Sequence, residues 1–488
     1  MILGGIPSAR GIAAGVTSGR LRAVDVLIDR ESRHRAAAGR LNALVQERWA
    51  AAAIDAAAID GAARGPLAGV PVSVKECFAV RGLRTTLGLE SRRAAVDEAD
   101  AALVAAVRAA GAIVVGKGNV PQAMMLHETD NRVWGRTNHP LRADRGPGGS
   151  SGGDAALVAA GVVPLAIGND LAGSLRQPAH ACGVAAIMPR STALGEGGAA
   201  DVLPHLLAVR PRAGFLAAEV GDLRLALGAV AAGERGAAPV AGLRIAWWDD
   251  AGPVAGSPAI VRAVREAVAH LAAAGAVTTR LEGDIAAEAA WLHLAILAAD
   301  GGADARAAIA GGRMIAGVRR LLRLAGLPRA ARPLVAALAR LAGRAIEARA
   351  VVATGPRTVA EFGRLLDARA DLSRRFAAVV AGHDAIVCPV SAVPALRHAT
   401  AARLVVAAAP CLLANLLDLP AGAVPVTTVR AGEEAGRPFS FDPVLRAAAA
   451  CDRGSSGLPV GVQVVACPGR DEALVLDVME AIESARGA

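Results

Sequence analysis

Short β-branched runs alternate with longer helix-permissive stretches along most of this chain. Residues 70–74, 112–115 and 162–167 are apolar runs of strand length, and residues 97–110, between the first two, carry a helical pattern. Strand-like runs return at 243–247, 385–388, 423–429 and 460–465. Residues 257–275 open on Ser257-Pro258, an N-cap and first-turn pair, and stop at Gly275, so they predict one helix. Residues 18–62 are alanine-rich, with Arg, Glu and Asp at helical spacing, and predict a helical start. The alternation predicts an α/β fold, a large mixed and mostly parallel β-sheet covered by helices on both faces. No internal repeat is visible, and no linker is long enough to separate independent domains.

Residues 313–346 differ in character. Met314, Ile315, Val318, Leu321 and Leu322 recur at helical spacing, with Arg313, Arg319, Arg320 and Arg323 between them. After Pro328 and Pro333, Leu334, Val335, Leu338 and Leu341 repeat the pattern with Arg340 and Arg344. This predicts two basic amphipathic helices joined by a proline-bearing turn. Such a pair fits an anionic membrane surface, or equally two ordinary helices packing their apolar faces on the core.

Composition narrows the function. The 488 residues are 54% hydrophobic, ample for a large core. A net charge of +9 raises the question of nucleic acid, but the charge is dispersed arginine and aromatics are only 2%, too sparse for a stacking platform. No nucleic-acid partner is expected. Tyrosine is absent altogether, which excludes any mechanism that needs one. Cys77, Cys182, Cys388, Cys411, Cys451 and Cys467 form no Cys-x-x-Cys pair and read as free thiols of a reducing compartment. The nine histidines form no ligand pattern, so neither metal nor cofactor is expected. Residues 1–15 lack the basic start and unbroken apolar core of a signal peptide. The uncharged stretches 155–169 and 404–417 are shorter than the roughly 20 residues of a spanning helix. A cytoplasmic protein, or one peripheral on the inner membrane face, is expected.

The candidate chemistry begins with two lysines, Lys75 and Lys117, set against fifty-one arginines. Arginine cannot lose its proton, whereas a desolvated lysine can, so a lysine kept in so biased a chain is a candidate base. Lys75 ends the apolar run 70–74. Downstream lie Pro147-Gly148-Gly149-Ser150-Ser151-Gly152-Gly153 and then Gly168-Asn169-Asp170-Leu171-Ala172-Gly173-Ser174-Leu175-Arg176. A lysine followed by two glycine-set serines suggests acyl transfer without histidine. The first glycine loop is no phosphate loop, because no Gly-Lys-Ser/Thr follows. It matches Gly-x-Ser-x-Gly in two frames, but Arg142 to Pro147, not a buried strand, precedes it. A nucleophile elbow at Ser150 would also need a later acid and histidine, and His293 and His398 sit in no recognisable context. The remaining reading is a rigid loop whose glycines let backbone and hydroxyls converge on a substrate carbonyl.

These residues, with Pro178, resemble the amidase signature family of serine hydrolases. Lys75 lies 75 residues before Ser150 and Ser174 lies 24 after it, a spacing that fits the family. Residues 128–138 and Gly457-Leu458-Pro459-Val460-Gly461-Val462-Gln463 add family-like stretches, so the likeness covers about 60–250 and 380–485. Residues 73–78, Asn119-Val120-Pro121-Gln122 and residues 420–429 resemble the fatty acid amide hydrolase branch. The resemblance implies one domain over 1–488, with a helical segment 1–62 and a catalytic core at about 63–250 and 380–488. A helical insertion at about 285–375 completes it. That branch carries an amphipathic helix pair about where 313–346 fall, which implies peripheral membrane contact there. The spanning N-terminal helix of the animal enzymes is not expected, and a homodimer is left open.

What the family implies for the site is a Ser-Ser-Lys triad. Ser174 would be the nucleophile, and Ser150 would bridge it to a neutral Lys75 acting as base and then acid. Neutrality near pH 7 requires burial to cost the ammonium roughly 4 kcal/mol. Backbone N–H groups of Leu171, Ala172, Gly173 and Ser174 would form the oxyanion hole. Ser151, Asp170 and Arg176 would support the loops, and Met124 and Met125 would line the substrate pocket. The activity implied is hydrolysis of acyl amides, with fatty acid amides as the expected substrates. A short-chain or aryl amidase is the alternative, an amidotransferase subunit another, and an impaired relative acting as a binding protein a third. Three departures bear on this. Asn169 stands where the family usually has Thr, and Ala172 where it has Gly. Ala186-Ile187-Met188-Pro189-Arg190 replaces Gly-Leu-Lys-Pro-Thr. If Ala172 needs positive φ, it costs about 1 kcal/mol and turns a donor away.

Overall fold

The computed structural model describes residues 8–231 and 236–485. Residues 1–7 of the N-terminal stretch read above lie outside the described residues. Among the described residues thirteen strands form, β1 (Leu44–Glu47), β2 (Pro71–Lys75), β3 (Ile113–Gly118), β4 (Asp130–Asn131), β5 (Gly135–Arg136), β6 (Leu165–Asp170), β7 (Ala185–Met188) and β8 (Arg212–Ala217), then β9 (Arg244–Trp247), β10 (Val277–Arg280), β11 (Ala385–Pro389), β12 (Ala421–Thr428) and β13 (Pro459–Ala466). β4 and β5 pair alone. The other eleven make one sheet in the order β1-β3-β2-β6-β8-β7-β12-β13-β11-β9-β10.

This is the expected large mixed sheet covered by helices. β2, β3, β6, β7, β8 and β11 are buried at every position, as strands covered on both faces must be. The parallel pairings sit in two blocks, β3-β2-β6 and β11-β9-β10, while β1 and the central strands from β8 to β13 pair antiparallel. Strand–helix alternation does not reveal this balance, because a strand inserted later, such as β8 between β6 and β7, reverses direction without changing the local pattern.

Local differences are small. The run 162–167 starts its strand only at Leu165, after Pro164. β1, inside the alanine-rich start, is held by pairing with β3 rather than by its own propensity. The helix predicted over 257–275 is Pro258–Ala273, with Pro258 in its first turn. The Ser257 hydroxyl does not cap it, and that oxygen is buried without a hydrogen-bond partner among the described residues.

Between β10 and β11 the chain is helical, and the basic pair is Ala316–Ala325 and Arg332–Leu341. The first turns Val318, Leu322 and Ala325 into the core. The second buries Ala336 and Ala339 and leaves Leu334, Leu338 and Leu341 exposed. Helix start at Ala316 follows from Gln122, whose side chain bonds Arg313 O (2.8 Å) and Ile315 N (2.9 Å).

Candidate active site

Parallel pairing of β2 with β6 puts Val74 opposite Ile167. One step further, Lys75 and the pair Asn169–Asp170 end their strands at the same edge of the sheet, where open α/β sheets hold ligands. Lys75 is fully buried. Its ammonium donates to Ser150 Oγ (2.7 Å), Asn169 Oδ1 (2.6 Å) and Asn169 O (3.3 Å), so each of its three hydrogens has an acceptor. Burial pushes the Lys75 pKa below its usual range, against the opposing pull of Asp154 and Asp170. Asp154 lies in the first turn of the helix Gly152–Ala159 and accepts from Ser73 Oγ (2.7 Å). Burial pushes it up to about 7.

The glycine loop is held from several sides. Thr129 Oγ1 donates to Gly148 O (2.9 Å), and Gly149 N donates to Gln177 Oε1 (3.2 Å). Gly148 has φ +85, and a Cβ there would meet Gln177 Oε1 at 2.3 Å, so no other residue fits without displacement. The Gly149–Ser150 peptide is cis. Ser151 N donates to Ser174 O (3.1 Å) and its hydroxyl to Asn169 O (3.5 Å), tying the two serine loops together.

Asp170 organises the second loop. Its carboxylate accepts from Gly173 N (2.7 Å) and Leu175 N (3.0 Å) and pairs with Arg176 through Nη2 (2.9 Å) and Nε (3.0 Å). Burial alone would raise the Asp170 pKa. The Arg176 guanidinium and the hydrogen bonds reverse this and hold it well below the usual carboxylate range. Arg176 reaches on to Cys411 O, Asn415 Oδ1 and Gln463 Oε1, so the Gly457–Gln463 stretch supplies a buried acceptor to this network.

The expected set of four oxyanion donors needs one correction. The Gly173 N–H is spent on Asp170, leaving Leu171, Ala172 and Ser174 with N–H groups that bond no described residue. Ala172 does not take a positive φ; that conformation falls on Gly173 (φ +94), where a Cβ would meet Cys411 Cβ at 2.9 Å. Ala172 is therefore unstrained, and it packs against Ala290, Ala409 and Leu412.

Ser150, Asn169 and Ser174 open on one cavity of about 650 Å³. Leu294, Leu321, Leu322 and Leu412 give it a mainly apolar wall, and Met124 and Met125 also line it. The Ser174 hydroxyl bonds no described residue; Ser174 lines the same cavity as Ser150, which Lys75 contacts directly. Sequence reasoning missed His127. Its ring lines the cavity, with Nε2 3.0 Å from Ala172 O. Burial lowers its pKa, so the ring is neutral and Nε2–H donates to that carbonyl. A histidine two residues beyond Met124-Met125 was the available signal. The second lysine is also buried, but away from this cavity, donating to Arg84 O (2.7 Å) and Thr85 Oγ1 (2.8 Å).

Fatty-acid amide hydrolase 1 of Sus scrofa is 32% identical over 453 residues, covering 86% of this chain and 76% of that protein. Indoleacetamide hydrolase of Bradyrhizobium diazoefficiens is 39% identical over 230 residues, 45% of this chain and 43% of that protein. Among solved structures, a fatty acid amide hydrolase superposes with TM-score 0.82 at 20% identity over 99% of this chain and 85% of its own, a likeness of fold. A family model described as Amidase matches residues 30–475, and with it the chain belongs to the amidase family, the amidase signature enzymes.

Proposed function

We propose that this amidase hydrolyses the C–N bond of long-chain acyl amides through Ser174, Ser150 and Lys75. The observation that carries the reading is the mainly apolar cavity, which runs from Ser150 and Ser174 to the helix Ala316–Ala325 and on to Leu327. Neutral Lys75 takes the Ser150 proton by reversal of the hydrogen bond they share, while Ser150 takes that of Ser174. The Ser174 oxygen adds to the acyl carbon, and the oxyanion meets the free N–H groups of Leu171, Ala172 and Ser174. The amine leaves with the relayed proton, and water then cleaves the ester on Ser174. Asp170, Arg176 and Ser151 hold the loops. The relaxed backbone at Ala172 favours a working site over an impaired relative that only binds.

Intact-mass labelling with a fluorophosphonate tests the triad. One adduct is expected on the wild type, lost in Ser174→Ala and slowed in Lys75→Ala; no adduct on folded protein would overturn it. Turnover is expected to fall steeply as the acyl chain shortens. Equal turnover of acetamide-like substrates would instead favour a short-chain or aryl amidase, the reading that the indoleacetamide hydrolase likeness supports.

Activity should rise with pH as Lys75 loses its proton, with a midpoint below the usual lysine value because burial lowers its pKa. Asn169 Oδ1 accepts from the ammonium and so stabilises the charged form. Asn169→Leu should therefore move the midpoint to lower pH, and a midpoint that stays or rises would remove Asn169 from this role.

Membrane docking through 313–346 belongs to the same reading. Among the described residues no helix is long and apolar enough to cross a membrane. Exposed Leu334, Leu338 and Leu341 lie on one helix face, with the exposed pair Phe439 and Phe441 near its end at Gly343. Leu338→Glu with Leu341→Glu should abolish co-sedimentation with liposomes; unchanged sedimentation would assign the leucines no membrane role.

A further inference from the structure

The peptide unit between Ala172 and Gly173 is gripped at both ends. The Gly173 N–H donates to Asp170 Oδ1 (2.7 Å), and the Ala172 carbonyl accepts from His127 Nε2 (3.0 Å). This peptide is trans, so the two groups point opposite ways and the two bonds together fix its plane. Local sterics would not fix it, because Gly173 stands at φ +94 and glycine takes either sign of φ with similar ease. The N–H groups of Ala172 and Ser174 lie on either side of this unit and bond no described residue. Rotation about the Ala172 ψ or the Gly173 φ would swing one of these donors relative to the other.

The two grips differ in origin. Asp170 belongs to the same loop and is itself held by Arg176. His127 comes from another segment, and among the described residues no other side chain from outside residues 170–176 bonds the backbone of 171–174. That segment is firmly anchored. Gln122 bonds Arg313 O and Ile315 N, Ala123 N donates to Leu87 O (2.9 Å), and Ala123 and Met124 stand at φ +54 and +56. Non-glycine residues keep such a backbone only where their surroundings over-determine it. Two residues beyond His127, Thr129 Oγ1 holds Gly148 O, and a Cβ on Gly149 would meet Leu126 O at 2.5 Å. Residues 122–129 therefore tie the loop of Ser174 to the loop of Ser150.

We propose that His127 is a positioning residue for the amide hydrolysis: its Nε2–H holds the Ala172 carbonyl so that the N–H groups of Leu171, Ala172 and Ser174 face the oxyanion formed on the acyl carbon. This inference rests on the reading of Ser174 as nucleophile. His127 acts through the backbone rather than on the substrate. Its loss should therefore slow the attack of Ser174, where charge develops on the acyl oxygen, and leave ground-state binding in place.

The test measures kcat and KM with a long-chain acyl p-nitroanilide, and the rate of fluorophosphonate labelling, for the wild type, His127→Phe and His127→Gln. Phenylalanine keeps a ring and removes the donor, whereas glutamine carries an amide N–H at about the reach of Nε2. In His127→Phe, kcat and the labelling rate should fall together, because the phosphoryl oxygen of the probe uses the same N–H groups. The expected fall is roughly 10- to 100-fold, less than the roughly 10²–10³-fold lost with an oxyanion donor itself. KM should stay within about twofold of the wild type, and His127→Gln should recover most of both rates. If His127→Phe does not fold, His127→Leu makes the same comparison. Wild-type rates in the variant without a donor, a loss carried by KM, or a loss that glutamine does not restore would overturn the proposal. A folded wild type that takes no label on Ser174 would overturn the nucleophile reading on which it rests.

Discussion

Replacing Lys75 by methionine is expected to lower kcat by roughly 10⁴-fold or more, because members of a catalytic relay fail together. The fold should survive. The Lys75 amine is fully buried and its charged form is disfavoured there, so removing it relieves a desolvation cost. Against that, Ser150 Oγ and Asn169 Oδ1 each lose a partner, at about 1 kcal/mol apiece. The two effects offset, and the denaturation midpoint should stay close to that of the wild type.

Lys117→Met makes the contrasting control. Lys117 is equally buried, but its contacts are Arg84 O, Thr85 Oγ1 and Asp97 Oδ2, none of them in the catalytic cavity. It also supports the buried carboxyl of Glu76, whose pKa burial raises and Lys117 lowers. Its loss should cost stability far more than it costs turnover. Measuring kcat/KM and denaturant midpoints for both variants separates the roles. Turnover by Lys75→Met within tenfold of the wild type would place the base elsewhere.

Arg176→Ala should give the largest loss of stability, about 3–5 kcal/mol, the usual result of removing one partner from a buried ion pair. Both side chains of the Arg176–Asp170 pair are completely buried. Without the guanidinium, Asp170 keeps a buried charge, and Cys411 O, Asn415 Oδ1 and Gln463 Oε1 lose a donor. The pH dependence follows from the depressed Asp170 pKa. That carboxylate contributes stability above its unfolded pKa, and the contribution is lost as pH falls through and below the ordinary carboxylate range. The gap between variant and wild type should therefore be widest near neutral pH and close on acidification. Denaturant titration at several pH values reads this directly, and a gap that does not change with pH would mean that Asp170 is not held charged by Arg176.

Much of the molecule could be read without coordinates. The strand-like runs at 70–74, 385–388 and 460–465 coincide with β2, β11 and β13, because buried β-branched runs carry their signal locally. β1, β7, β8 and β10 left no comparable mark. β1 lies in alanine-rich sequence and is made a strand by β3, and β10 is an edge strand whose pattern is mostly polar and exposed. At the site, Lys75, Ser150 and Ser174 stood out through residue type and spacing. His127 and Asn415 did not, since a lone histidine or asparagine acquires a role only from what packs on it. The spending of the Gly173 N–H on Asp170 was equally hidden, being a matter of hydrogen-bond geometry three residues away.

Sequence alone determined which chemistry this chain could carry. Two lysines among fifty-one arginines, glycine-framed serines and no tyrosine restrict the options because side-chain pKa and backbone freedom are properties of residue type. Only the tertiary structure decided how that chemistry is assembled. The β2–β6 pairing brings the Lys75 side chain to Asn169, burial lowers the lysine's pKa, and the helix Ala316–Ala325 lines the same apolar cavity as Ser174. Register, desolvation and cavity shape arise between segments far apart in sequence, where no local pattern records them.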